Sequence, residues 1–244
     1  MKLKLAALAA TLLCSGVTFA QTATTAATPD YTLSFNVGAV TDYRYRGISQ
    51  TRLRPALQGG ADFAHSSGFY VGTWASTIKW IKDAGGDSDV ELDVYGGYKF
   101  TASDVGFDVG VLRYQYFGND LNPSANTTEG YIAGTFGPAT LKYSHSFTNL
   151  FGFADSKNSF YVDLSAGFDT GYWGLTVTPH VGYQKVKNNG GASYTDWSVT
   201  LGKDFGSGLS GTLAYVDTDT NSYRGAGNKN LGRWGIVAGV KYAF

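Results

Sequence analysis

Cysteine is almost missing from this 244-residue chain. Its one copy is Cys14, inside an N-terminal segment with the marks of an export signal. Once that segment is removed no thiol is left, which excludes disulfides and thiol chemistry from the rest. Charge is scarce as well. Asp, Glu, Lys and Arg make up 16% of the residues, against about 25% in an ordinary soluble domain. The two signs balance at 19 each, so no net charge argues for a nucleic-acid partner. Long hydrophobic runs are missing too. A spanning helix needs ~20 apolar residues, and no stretch of the sequence supplies them. That excludes a helical membrane protein but not a barrel, whose strands alternate and escape a hydropathy scan. Proline appears only five times, whereas glycine reaches 33 copies and aromatic residues 15%. Low charge with many aromatics and glycines suits a sheet that meets lipid on one face.

Lys2 and Lys4 precede an apolar core from Leu5 to Leu13, and Thr18-Phe19-Ala20 puts small residues around a cleavage point. This is the pattern of a secretory signal peptide over residues 1–20. Leu13 stands before Cys14 where a lipidation signal needs Gly, Ala or Ser, so Cys14 is expected to leave with the signal. Cleavage would remove two lysines and leave a mature charge of −2. Residues 21–30 are Thr- and Ala-rich and aperiodic, and read as a short exposed lead-in to a single domain over 31–244.

From Tyr31 onward the pattern has period two. Tyr31, Leu33, Phe35, Val37 and Ala39 alternate with Thr32, Ser34, Asn36 and Gly38, and comparable runs start near Asp89 and Ser159. Such alternation makes a strand with one apolar face. About twelve strands can be drawn, with ten or fourteen as alternatives. Their connections take turns between tight Gly-, Ser- and Asp-rich turns and long loops. The turns include Gly137-Pro138 and Gly206-Ser207-Gly208, and the loops include Gly118–Thr128 and Thr218–Leu231. An antiparallel up-and-down transmembrane β-barrel has this rhythm, with short periplasmic turns and long extracellular loops. An even strand count puts both termini in the periplasm. The final run, Ile236, Ala238, Val240, Tyr242 and Phe244, alternates to the last residue. Tyr242 and Phe244 are therefore expected to form the signal read by the barrel-assembly machinery. Pro179 lacks a strand donor and predicts a bulge near His180.

The segment Thr41-Asp42-Tyr43-Arg44-Tyr45-Arg46-Gly47-Ile48-Ser49-Gln50-Thr51 is distinctive. With Pro55–Gly60 and Ser67–Trp74 it resembles the N-terminal signature of the TorF family of porins, also called the Gcw_chp family. The resemblance is sharpest over Val37–Trp80 and looser from there to Phe244. It implies an outer-membrane location in a Gram-negative bacterium and a channel role, with no catalytic residue to carry over.

Strand parity makes Tyr43 and Tyr45 an outward aromatic girdle and turns Asp42, Arg44 and Arg46 inward. Extended back from the second strand, it turns Arg52 and Arg54 inward too. The five residues would form a charged pore mouth, faced by a lumen wall of Asp62, Glu91, Asp93, Asp108 and Asp163. Opposed basic and acidic walls would sort polar solutes. The plainer reading is a solvated loop with salt bridges to Asp42. Gly60, Gly72, Gly97, Gly110 and Gly239 on the lumen face favour a partly open interior.

Ser144-His145-Ser146 raises the question of a lipid hydrolase. Strand neighbours point to opposite faces, so neither serine can pair with His145, and no enzyme is expected. Asp83, Asp87 and Asp89 match no EF-hand spacing. They read as an exposed acidic loop, with no metal or cofactor expected. The expected function is passive diffusion of small polar solutes or ions across the outer membrane, with membrane lipids and the assembly machinery as further partners. The rivals are a closed structural or surface-binding barrel and, behind it, a lipid-modifying enzyme.

Overall fold

The computed structural model describes residues 29–244. The expected signal peptide and most of the lead-in lie outside the described residues.

Twelve strands form the wall. They are β1 Tyr31–Val40, β2 Ala56–His65, β3 Phe69–Thr77, β4 Val90–Ala102, β5 Val105–Gln115 and β6 Thr127–Phe136. The others are β7 Ala139–Ser146, β8 Phe160–Ala166 (continued by Phe168–Asp169), β9 Leu175–Lys185, β10 Tyr194–Gly206, β11 Leu209–Thr218 and β12 Gly235–Ala243. Each pairs antiparallel with its sequence neighbours. β1 also pairs with β12, from Asn36↔Ala243 to Val40↔Gly239, so the sheet closes and no edge is left. Phe35 and Phe244 extend that seam with two backbone hydrogen bonds of 2.8 and 2.9 Å. The expected twelve-stranded up-and-down barrel is the observed architecture. Long loops gather at one end, and the tight turns and both ends of the described chain lie at the other.

The barrel is inverted relative to a soluble protein. Leu57 is 67% exposed and Phe69 62%, whereas Glu129 is 1% and Asp196 2% exposed. Apolar surface left in water costs about 25 cal/mol per Å². A wall-wide apolar band is therefore stable only against an apolar solvent, and bilayer lipid is one. Rings stack along the rim at the short-turn end, among them Tyr31 with Phe63, Phe100 with Phe107, and Tyr242 with Phe244.

Two expectations about the wall need correction. No bulge forms at Pro179, which pairs in register with Val199. Instead the strand across from it breaks. β8 pairs with β9 up to Ser165↔His180 and resumes at Phe168↔Val177. Thr178 and Pro179 therefore face Ala166 and Gly167, where the ladder is interrupted. Gly167 N–H continues the ladder on the other side of the strand, donating to the Pro138 carbonyl at 3.0 Å. A missing donor is absorbed by a gap in the partner strand, and His180 keeps an inward parity.

The lumen glycines do not leave open space. A Cβ on Gly72 would sit 2.5 Å from the ring of Tyr95, and one on Gly97 or Gly110 would sit 2.5 Å from the hydroxyl of Tyr70 or Tyr131. These glycines are sockets in which tyrosines from adjacent strands lie flat against the inner wall.

Candidate functional site

β1 ends at Val40, and the chain then leaves the wall. Residues 41–55 form the first long loop, L1, which folds into the barrel instead of standing above it. Its tip is a β-hairpin in which Arg44–Tyr45 pairs with Ile48–Ser49. Arg46 (φ 47°) and Gly47 (φ 79°) make the two-residue turn. Two positive φ values in succession are the mark of a type I′ turn, whose twist matches its strands. Gly47 is required for a second reason. A Cβ there would meet Thr218 Cγ2 at 2.5 Å and Asp196 Cβ at 2.8 Å.

Asp42 builds the base of this loop. Its buried carboxylate accepts hydrogen bonds from Arg44 Nε at 2.5 Å, Ser49 Oγ at 2.5 Å and Thr51 Oγ1 at 3.1 Å. Arg44 also donates to the Gly47 and Arg233 carbonyls, at 3.0 and 2.8 Å. That ties L1 to the last long loop, residues 219–234. Ser49 N–H donates to the Leu231 carbonyl beside it.

The tip crosses the lumen. Arg46 donates to Glu129 Oε2 at 2.6 Å and Oε1 at 3.1 Å on β6, and to Gln184 Oε1 at 2.6 Å on β9. Its guanidinium lies 4.3 Å from the ring centre of Tyr161 and 4.8 Å from that of Tyr45. A fork-on-carboxylate pair between aromatic faces suits arginine rather than lysine. Tyr45 shares a 2.5 Å hydrogen bond with Tyr114 on β5. Tyr43 donates to Glu91 at 2.5 Å, and Tyr116 reaches the same carboxylate at 2.7 Å.

The expected pore mouth is thus corrected. Tyr43 and Tyr45 face the lumen and are not an outer girdle, because wall parity stops where the hairpin starts. The four arginines do not gather. Arg44 braces the loop base, Arg46 spans the lumen, and Arg52 pairs with Asp83 at 2.6 Å. Arg54 is exposed.

The five expected acidic residues occupy inward positions on the strands. Asp62 accepts from Tyr95 at 2.5 Å, Asp108 from Tyr70 at 2.6 Å, and Asp163 contacts His180 Nε2 at 2.5 Å. Asp93 is 3% exposed, and its Oδ1 has no hydrogen-bond partner. They do not make one wall, since Asp163 on β8 stands half a circuit from Asp62 on β2. Sequence reasoning missed Glu129, Lys142, His180 and Asp196, which share this interior. Plain alternation would have placed Glu129 and Lys142. His180 was obscured by Pro179. Ser144 and Ser146 face inward, while His145 faces out and contacts Tyr143 and Asn158.

Among the described residues, three chambers follow one another along the barrel. The first, about 400 Å³, lies among the long loops and is lined by Tyr45, Trp80, Phe151 and Tyr223. The second, about 520 Å³, lies beyond the hairpin and is lined by Arg46, Asp93, Lys142 and His180. The third, about 200 Å³, is lined by Asn36, Thr212 and Lys241. Tyr45 lines both the first and the second, and Val40, Gln58 and Trp74 line both the second and the third.

Solved structures share this architecture. A KdgM porin superposes with a TM-score of 0.57 at 11% identity, covering 86% of this chain and 99% of its own. A NanC porin gives 0.52 at 10% identity, covering 86% and 99%. The outer membrane protein Omp33 of Acinetobacter baumannii gives 0.50 at 7% identity, covering 88% and 98%. At such identities the likeness establishes the fold alone. No curated protein matches the chain in sequence. Residues 23–244 match one family along nearly the whole chain, and the protein therefore belongs to Gcw_chp, a family of bacterial proteins of unknown function.

Proposed function

We propose that this protein is an outer-membrane channel for small polar solutes, with the L1 hairpin as its constriction. The observation that carries the reading is the line of three chambers running through one closed barrel. The hairpin tip divides the first chamber from the second. A twelve-stranded barrel lies between those filled by side chains and those with a wide aqueous bore, so what stands in the lumen sets the passage. Here that is Tyr45 against Tyr114 and Arg46 against Glu129.

The porin fold supports an outer-membrane location, and so does the resemblance to TorF porins. In this reading the long loops face outside and the tight turns face the periplasm. The assembly machinery reads Tyr242 and Phe244. The lumen carries both signs, with Lys142 4.1 Å from the Tyr131 ring centre and Asp163 on His180. That suits small polar solutes more than one class of ion. A KdgM porin has been described in complex with oligogalacturonate, and a channel role in the same fold is consistent with that.

The rival is a closed barrel that acts through its loops. The observation in its favour is the same hairpin, whose contacts close the junction between two chambers. Swelling of liposomes that carry the purified protein separates the two. Uptake of small sugars and amino acids, falling with solute size, supports the channel. Swelling no faster than in protein-free liposomes supports the closed barrel.

A further inference from the structure

The loop chamber has a chemistry of its own. Its walls are rich in rings: Tyr45, Trp80, Tyr116, Phe151, Tyr194 and Tyr223. Several meet edge to face, such as Trp80 on Tyr116 at 5.2 Å and Tyr194 on Tyr223 at 5.2 Å. Its volume of about 400 Å³ falls in the range of small-molecule sites, about 300–1,000 Å³. Two of its lining residues share the short helix α1, Trp80–Asp83. Each carries a buried polar atom without a hydrogen-bond partner, Trp80 Nε1 and Asp83 Oδ2. One is a donor and the other an acceptor. Buried groups of this kind are nearly always paired, so an unpaired donor and an unpaired acceptor on residues lining one chamber point to a ligand that carries both acceptors and donors. A hydroxyl is both.

We infer that this chamber binds a neutral saccharide before it enters the lumen. The C–H faces of a sugar ring suit the aromatic walls, and its hydroxyls, which both accept and donate, suit Trp80 and Asp83. The chamber's two charged lining residues are Asp83 and Arg224, one of each sign, and Asp83 is already paired with Arg52. Arg224 is held in turn by the Asn221 and Asn228 carbonyls, so neither charge is left free to select an acidic or a basic ligand. A hydrocarbon ligand would leave Gln50, Asn122 and Gln184 facing apolar surface. This inference rests on the channel reading for the solute's onward path, but binding is measured apart from transport.

The test is titration of the detergent-solubilised full protein with maltose, cellobiose and digalacturonate, by calorimetry and by tryptophan fluorescence. Maltose or cellobiose should bind saturably, and digalacturonate more weakly. Trp80→Phe keeps the ring and removes the donor, and Asp83→Asn changes the acceptor. Each should weaken binding about tenfold, the worth of one hydrogen bond. A heat-modifiability gel checks that each variant is folded. If one fails to fold, Leu121→Trp, which fills the chamber from another loop, takes its place and should abolish binding. Overturning results are no saturable binding of either neutral disaccharide, binding unchanged by all folded variants, or tighter binding of digalacturonate. Swelling without saturable binding would sink this inference and leave the channel standing. Binding without swelling would leave the chamber site standing and sink the channel.

Discussion

Arg46 and Glu129 join two parts of the chain that are 83 residues apart, through a pair of hydrogen bonds of 2.6 and 3.1 Å across the lumen. Both side chains are almost wholly buried, at 7% and 2% exposure. The contact turns a loop expected at the rim into a bar across the lumen. It is the clearest single reason why the interior is divided into separate chambers on the two sides of the hairpin.

Breaking that pair from one side should free the hairpin. Removing one partner of a buried ion pair typically costs about 3–5 kcal/mol, because the other charge is left unpaired. Arg46→Gln should therefore lower stability to denaturant and make L1 more open to protease. Arg46→Gln with Glu129→Gln should recover much of the loss, since no charge remains stranded. A double variant as unstable as the single one would show that the arginine serves packing rather than pairing. Arg54→Gln, on an exposed side chain, should change neither readout.

Much of this was legible before the structure. Period-two runs and alternating connection lengths placed the twelve strands, because a wall between lipid and lumen leaves each residue only two directions to face. The inward acids followed from the same rule. L1 was not legible by parity, because parity holds only while the chain stays in a strand. The clue was Arg46-Gly47 between Tyr45 and Ile48, a dipeptide able to take two positive φ values. Reading the segment as a continued strand turned Tyr43 and Tyr45 outward and gathered arginines that the fold keeps apart. The lumen glycines misled for a related reason. Alternation gives a side chain's direction, but not the Tyr95 ring that lies over Gly72.

Topology is open to a direct check. Epitope tags inserted within Gly118–Thr128 or Thr218–Leu231 should be reached by antibody on intact cells. Tags between Ala102 and Val105 should be reached only after the outer membrane is permeabilised. The opposite pattern would reverse the barrel.

The closing seam gives a prediction about assembly. Phe244 pairs with Phe35 through the backbone and stacks on it at 5.9 Å. Phe244→Ala keeps the backbone and loses the stack, whereas deletion loses both. Heat-modifiable barrel should decline in the substitution and decline further in the deletion. Equal yields from all three proteins at native expression would show that the last residue is not read during assembly.

Acid should loosen the second long loop. Lys79 and Lys82 each hydrogen-bond Asp89 at 2.6 Å, and these bonds hold its carboxyl down at about 2, from an ordinary 3.8. A depressed carboxylate stabilises the fold above its unfolded value and loses that contribution as pH falls through its folded value. The clasp should therefore be intact above about pH 4 and open progressively towards pH 2. Protection of the amides across residues 78–89, taken as the hydrogen-exchange rate relative to the intrinsic rate at each pH, should fall over that window in the wild type. In Asp89→Asn it should be low throughout, and a variant with the wild-type pH response would assign the effect to another group.

The central claim is that solute passes through the lumen and that L1 narrows it. Single-channel recording in planar bilayers tests this most directly, with wild type beside a variant in which residues 43–51 are replaced by a short glycine-serine linker. Small unitary currents from the wild type and distinctly larger ones from the variant are expected. Silence from both, with folded barrel verified in the same membranes, would contradict the account.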